Sequence, residues 1–383
     1  MRKVLLVAHW DWVLHNYWLP VAGALRDLGC EVTFVCPFGD YTERLQSAGY
    51  ACIHWPVKRH GLNPVQEAFA LMRLIRIYRR IRPDAVHHVT IKPNLYGTIA
   101  ARVANVGAIV DVFNGLGYLF STDLQARWLR SLLLPILRRA LDTPSAMTIF
   151  ESRTDRDALV QRDVIAEKRT VIISGTAVNT TAFRPRGNGR PAHDSSRPVA
   201  LLAGRLLRDK GINEFVEAAR RLKRTDADWR FWIAGVPDTS NPNSVSEQEL
   251  NQWQQEGTIE FVGQRDDMPK LLRQVDIAVL PTYYNEGLPR FLLEAAATGL
   301  PLVATNIEAC RLIVRDGING FLISPRDVDE LAHAMTRLLA DEGLRQRFGR
   351  ASRPIVVQGF SEEKVVRQYL RLYRDMGIVS VAT

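Results

Sequence analysis

Short apolar runs rich in β-branched residues return at regular intervals along this chain, separated by amphipathic stretches of helical period. Val4–Ala8 precedes a helical pattern at Leu19–Leu28, and Glu31–Cys36 (EVTFVC) follows as a strand closed by Pro37. Pro64–Ile81 is helix-periodic, and Ala85–Val89, Ile109–Phe113, Met147–Phe150 and Val171–Ile173 continue the strand series. Strand, helix, strand in repetition predicts a parallel sheet with helices on both faces. The stretch Arg184–Pro198 (RPRGNGRPAHDSSRP) carries no apolar period and reads as a linker. Beyond it the alternation restarts. Strands are expected at Val199–Ala203, Phe231–Ala234, Thr258–Val262, Ile277–Leu280 and Leu302–Ala304. Helices are expected at Ile212–Leu222, Met268–Val275, Pro289–Thr298 and Val328–Leu339. A length of 383 residues suits two such cores better than one. The expected organisation is an α/β protein of two doubly wound, Rossmann-like domains, 1–183 and 184–360, facing across a cleft. A terminal helix within 361–383 is expected to pack back on the first domain.

Ligands of open parallel sheets bind beyond the carboxyl ends of strands, so the loops after strands hold the candidates. Gly204–Gly211 (GRLLRDKG) follows the strand VALLA and precedes a helix, placing Arg205 and Lys210 beside a helix amino terminus. Two cations and unpaired backbone N–H groups suit a diphosphate; a charged surface loop reads the same way. Glu286–Glu294 (EGLPRFLLE) follows the strand Ile277–Leu280. Pro289 fits the first helical position, leaving Leu288, a poor cap, ahead of it. Gly287 lets backbone approach a ligand. Glu294 falls in an apolar stretch, where a carboxylate needs a partner; a sugar diol would supply two donors. In the first half His88 and Lys92 follow a strand and are candidates for acceptor or donor contact, with Lys92 on a loop able to meet a phosphate. A packing histidine is the other reading of His88.

Strand followed by EGLPRFLLEAAATGLP resembles the E-x7-E motif of the retaining GT-B glycosyltransferases of family 4. GRLLRDKG is similar to that family's diphosphate-binding Arg/Lys motif. VIISGTAVNTTAFRP resembles its closing strand and turn, with Asn179 where an Asp is more usual, and RDGINGFLI its turn after the donor helix. Phe113–Phe120 (FNGLGYLF), His87–Gly97 (HHVTIKPNLYG) and Asp238–Leu250 (DTSNPNSVSEQEL) resemble a bacterial subgroup that builds glycans on undecaprenyl-diphosphate carriers, N-acetylgalactosaminyl transferases among them. Two departures stand out: ACRLIV follows Glu308 where the subgroup carries Pro-Gly-Cys-Arg, and the loop HWDWVLHN lacks the usual glycines. The resemblance implies roles for single residues. Glu294 would bind the ribose hydroxyls and Glu286 the donor sugar. Arg205 and Lys210 would hold the diphosphate. Gly263, Gln264 and Arg265 would read the base, and the Gly287 and Leu288 N–H groups would approach phosphate or sugar. His88, Lys92, Asn114 and Gly115 would serve the first-domain side, His88 as a catalytic candidate. It further implies retention of anomeric configuration and transfer without a metal or other cofactor, the UDP-sugar being a co-substrate.

The formal net charge of +9 leaves three partner classes open: nucleic acid, an anionic membrane surface, or phosphorylated substrates. Arg73, Arg76, Arg79, Arg80 and Arg82 crowd one helical stretch. Arg127, Arg130, Arg138 and Arg139 flank RWLRSLLLPILRR, which with Trp128 has the composition of an interfacial segment on an anionic leaflet. The apolar run at Val4–Ala8 is too short for a signal peptide, and no run of about 18 apolar residues occurs. Cys30, Cys36, Cys52 and Cys310 lack metal spacing and read as reduced thiols. The expectation is therefore a cytoplasmic enzyme, peripheral on the inner face of the plasma membrane, moving an N-acetylhexosamine or other hexose from a UDP-sugar to a polyprenyl-diphosphate-linked saccharide. A nucleotide-sugar 2-epimerase on the same fold and a basic nucleic-acid-binding protein are the alternatives; no nucleic-acid-binding motif is present.

Overall fold

The computed structural model describes all residues except 59–62, 117–123, 174–176, 187–196, 226–227, 239–240, 242, 285–286 and 380–383, and the side chains of 124–129 and 132. By contact the chain divides into two units, Met1–Thr176 with Glu363–Thr383, and Ala177–Glu362. The division comes ahead of the linker read from composition because Val178 and Phe183 are buried in the second unit's core. Most of that linker, 187–196, lies outside the described residues.

The first unit holds seven parallel strands: β1 (Lys3–Ala8), β2 (Glu31–Cys36), β3 (Ala51–His54), β4 (Ala85–Val89), β5 (Ala108–Phe113), β6 (Ala146–Phe150) and β7 (Thr170–Ile172). Their order is β3-β2-β1-β4-β5-β6-β7. Every side chain of β4 and β5 is buried, His87, His88 and Asp111 among them, so these strands have no solvent-facing side. Order reverses between β1 and β4, whose register runs Val4↔Ala85 to Ala8↔Val89. The helix Glu362–Asp375 returns to this unit by its buried stripe Val365, Tyr369, Leu372 and Tyr373. Trp18 meets Tyr369 edge-on at 5.2 Å, and Tyr373 hydroxyl bonds Nδ1 of His87.

The second unit holds six parallel strands: β8 (Val199–Ala203), β9 (Arg230–Ala234), β10 (Glu260–Gly263), β11 (Ile277–Leu280), β12 (Leu302–Thr305) and β13 (Gly320–Ile323). Their order is β10-β9-β8-β11-β12-β13, reversing between β8 and β11. The helix Ile212–Lys223 buries Phe215, Val216, Ala219 and Leu222 on one face of the sheet. Arg290–Ala297 lies on the other and buries all but its first residue.

Two doubly wound sheets match the expected fold. β3 and β13 are additions, as are the helices Ile91–Val103, Glu247–Gln255 and Glu342–Phe360. Among the described residues no helix is long and apolar enough to cross a membrane.

Candidate functional site

The second unit gathers its candidates at the carboxyl edge of β8 and β11, which are hydrogen-bonded neighbours. Beyond β8 the chain crosses very close to the turn after β9. A Cβ on Gly235, at φ +140°, would lie 1.9 Å from the Gly204 carbonyl oxygen. The next turn is equally tight: Gly211, at φ +77°, opens the helix Ile212–Lys223, and a Cβ there would meet the Pro281 carbonyl oxygen at 2.2 Å. Between them, the Asp209 carbonyl accepts the Tyr283 and Tyr284 N–H groups at 2.9 and 3.0 Å and the Thr282 hydroxyl at 3.1 Å. Three donors on one carbonyl lock the β11 loop onto the β8 loop.

That lock sets two cations over one ring. The Lys210 ammonium stands 5.2 Å, and the Arg205 guanidinium 6.0 Å, from the centroid of Tyr284. Asp238 approaches Arg205 at 4.0 Å, yet 41% of the Arg205 side chain stays exposed. A guanidinium, an ammonium and a helix start without a side-chain cap, all in the segment that follows β8, suit a diphosphate.

Glu294 is the fifth residue of the helix Arg290–Ala297. Its side chain is 9% exposed, and Arg290 Nε donates to Oε1 at 2.6 Å. Burial pushes its carboxyl above the usual carboxylate range, and the Arg290 charge and hydrogen bond oppose that rise. The carboxyl of the half-buried Glu362 is raised by burial too and is likewise opposed first by the Arg290 charge. The anticipated partner of Glu294 was a ligand diol; its own helix also supplies one, Arg290. Pro289 is also displaced from its expected place: with ψ 101° it is the cap, and the helix starts at Arg290. Leu288 is buried and Gly287 half-buried. Glu286 lies outside the described residues.

At the carboxyl end of β10, Gly263 takes φ +69° with open space where a side chain would stand. Its carbonyl accepts Gly235 N–H at 2.9 Å. Arg265 is held by two 2.7 Å bonds to Asp267, and Gln264 precedes it in the same loop. Arg311, in the turn that departs from the subgroup pattern, bonds the carbonyl and side chain of Asn306.

The first unit corrects two expectations. His88 is fully buried: Nδ1 meets Asp111 Oδ1 at 2.7 Å, Nε2 meets the Tyr78 hydroxyl at 2.9 Å, and Gly97 backs its ring. Thr98 donates to both oxygens of the same Asp111. With both ring nitrogens committed inside the core, His88 is a packing residue and has no surface from which to act on a substrate. Lys92 is not on a loop. It stands in the first turn of the helix Ile91–Val103, and its ammonium bonds Glu67 at 2.7 Å and the Lys58 carbonyl at 2.9 Å. Asn114 and Gly115 follow β5, Asn114 donating to Glu151 and Gly115 taking φ +96°; the rest of that stretch, 117–120, lies outside the described residues.

Sequence reasoning passed over the features that shape the switch point of this sheet. Thr90, directly after β4, holds φ +79°, a genuine outlier for a β-branched residue, and its hydroxyl bonds His9 after β1. In HWDWVLHN a buried carboxylate takes the place of glycines: Asp11 accepts Trp12 N–H, Tyr41 N–H and the Thr42 hydroxyl, while Trp10 and Trp12 stack at 4.9 Å.

Known proteins share both halves of this arrangement. Residues 3–150 match the family described as Glycosyl transferase 4-like, and 186–354 that described as Glycosyl transferases group 1. The chain is 25% identical over 380 residues, 97% of its length and 98% of the relative's, to the N,N'-diacetylbacillosaminyl-diphospho-undecaprenol alpha-1,3-N-acetylgalactosaminyltransferase of Campylobacter jejuni. It is 25% identical, over 90% of its length and 89% of the relative's, to the UDP-Gal:alpha-D-GlcNAc-diphosphoundecaprenol alpha-1,3-galactosyltransferase of Escherichia coli. A crystal structure of a Rickettsia africae glycosyltransferase superposes with a TM-score of 0.79 at 20% identity over 98% of both chains. Anabaena HepE in complex with UDP superposes at 0.78 with 18% identity, over 97% of this chain and all of that one.

Proposed function

We propose, from the premise that the chain is a glycosyltransferase of GT-B fold joining a 4-like domain to a group 1 domain, that it moves a hexose or N-acetylhexosamine from UDP to a polyprenyl-diphosphate-linked saccharide with retention of configuration. The observation that carries the reading is the convergence of Arg205 and Lys210 on Tyr284 at the carboxyl edge of β8, with the buried Glu294 on the helix that follows the neighbouring β11. The acceptor class comes from the two diphospho-undecaprenol relatives, which span nearly the whole chain.

The chemistry follows from charge placement. As the bond from the anomeric carbon to the diphosphate oxygen breaks, negative charge grows on the leaving phosphate, where Arg205 and Lys210 offset it. A bond forms from the acceptor oxygen to the anomeric carbon on the same face, and the acceptor proton passes to a phosphate oxygen. No protein base is then required, in keeping with a buried His88. The fixed cations take the part a metal would otherwise play. Glu294, oriented by Arg290, accepts the ribose hydroxyls, and the backbone around Gly263–Arg265 faces the base.

Replacement of Glu294 by Gln tests this. Charge-assisted hydrogen bonds to a diol contribute about 1.5–3 kcal/mol, so UDP should bind roughly 10–100-fold more weakly by calorimetry, with the fold retained. Transfer from UDP-hexoses to a synthetic lipid-diphosphate saccharide should persist in chelator. UDP affinity unchanged in Glu294→Gln would remove the site assignment, and transfer abolished by chelator would remove the metal-free reading.

A further inference from the structure

We propose that the solvent side of the helix Pro64–Ile81 is a docking surface for an anionic lipid bilayer. This helix has two apolar faces where a surface helix has one. Ala70, Leu74, Ile77 and Tyr78 are buried in the first unit's core. On the opposite side Val65 is 78%, Phe69 56% and Met72 48% exposed. At ~100° per residue, Val65, Phe69, Met72 and Arg76 fall within a sector of about 60°. Arg73, Arg79 and Arg80 flank that sector, and all four arginines are exposed. The face is therefore apolar in its first half and cationic in its second, over roughly 22 Å from Val65 to Arg80.

Charge decides the occupant. None of Arg73, Arg76, Arg79 or Arg80 makes an ion pair among the described residues. The one acid of this helix, Glu67, is half-buried and paired with the Lys92 ammonium at 2.7 Å. Four uncompensated cations beside three exposed apolar side chains match a bilayer whose headgroups are anionic and whose acyl boundary accepts Phe69. The Lys92–Glu67 pair also ties the apolar end to the helix that starts directly after β4, hence to the carboxyl edge of this sheet. There a membrane-borne acceptor would be met; that last point rests on the function proposed above. RWLRSLLLPILRR had the more suggestive composition, yet among its described side chains Leu137 is buried and Ile136, at 43%, is the apolar group most exposed.

The test is cosedimentation of the full chain with vesicles of phosphatidylcholine alone or with phosphatidylglycerol, free of any glycan acceptor. Binding should need the anionic lipid and weaken with salt. Phe69→Ser should lower the partition coefficient about tenfold, and Val65→Ser/Phe69→Ser/Met72→Ser should abolish binding. Arg76→Gln/Arg80→Gln should weaken it by about fivefold per charge and flatten its salt dependence. All of these side chains are exposed, so unchanged circular dichroism is expected. No binding of the wild-type chain, unchanged binding of the triple variant, or a dimer that Phe69→Ser dissolves would each overturn the proposal. Transfer to a short-chain acceptor in detergent separates the two readings: the triple variant should retain it, and its absence in the wild type would count against the proposed function alone.

Discussion

Gly97 sits mid-helix in Ile91–Val103 at ordinary helical dihedrals, so helix propensity alone makes Gly97→Ala stabilising by about 1 kcal/mol. The His88 ring reverses that expectation. A Cβ at Gly97 would stand 2.3 Å from Nε2, 2.4 Å from Cδ2 and 2.7 Å from Cε1. Ordinary contact begins at about 3.5 Å, so the ring would have to retreat by roughly 1 Å. It cannot do so and keep the 2.9 Å bond to Tyr78 and the 2.7 Å bond to Asp111. Leaving one fully buried partner unsatisfied costs about 1–3 kcal/mol, and overpacking strain adds about 1–3. Set against the helical gain of about 1 kcal/mol, Gly97→Ala should destabilise the first unit by roughly 1–5 kcal/mol. Amide exchange at β4 and β5 reads that unit separately from the other. In a His88→Ala background the obstacle is gone, and the same substitution should be neutral or stabilising, a coupling of several kcal/mol. UDP affinity, which the proposed function assigns to the second unit, should not move in any of the three variants. A Gly97→Ala protein as stable as the parent, or a loss that persists without the imidazole, would refute the account of His88 as a clamped packing group.

Two other outcomes follow from buried groups and close approaches. His87 is fully buried against Trp18, Tyr369 and Tyr373, and burial, aided by His88, holds its pKa well below 6.5. The unfolded chain then binds a proton that the folded one refuses, so first-unit stability should fall as pH drops below about 6.5, by up to ~1.4 kcal/mol per pH unit; a His87→Gln protein with the same pH slope in chemical denaturation would contradict this. Gly211→Ala places a Cβ 2.2 Å from the Pro281 carbonyl at φ +77°, which should part the two loops that set Arg205 and Lys210 over Tyr284 and lower UDP affinity more than tenfold, while a calorimetric titration matching wild type would show that the loops are not coupled.

Much of the sheet framework was legible because buried parallel strands are largely apolar runs: VALLA and IAVL announce themselves. β3, ACIH, did not, being a half-exposed edge strand of four residues. Glu294 was found by motif, but its partner was missed although Arg290 stands at i−4, a spacing that itself predicts contact on a helix. Tyr284 left no signal: the aromatic matters only once the Asp209 carbonyl has gathered the loop around it. Lys92 was placed on a loop because Pro93 follows it, yet Pro93 stands in the first turn of the helix Ile91–Val103, where a missing N–H costs nothing. The second face of Pro64–Ile81 was present in the spacing of Val65, Phe69 and Met72 and was hidden by the stronger core periodicity.

The helix Glu362–Asp375 has a bearing on how the molecule is made. It supplies Tyr369, Leu372 and Tyr373 to the unit that begins at β1, while everything from Ala177 to Glu362 belongs to the other. During synthesis the second sheet has all its strands before this helix exists, whereas the first waits with Trp18 and His87 lacking their cover. The first unit, though encoded first, therefore cannot complete its core until this last helix is made.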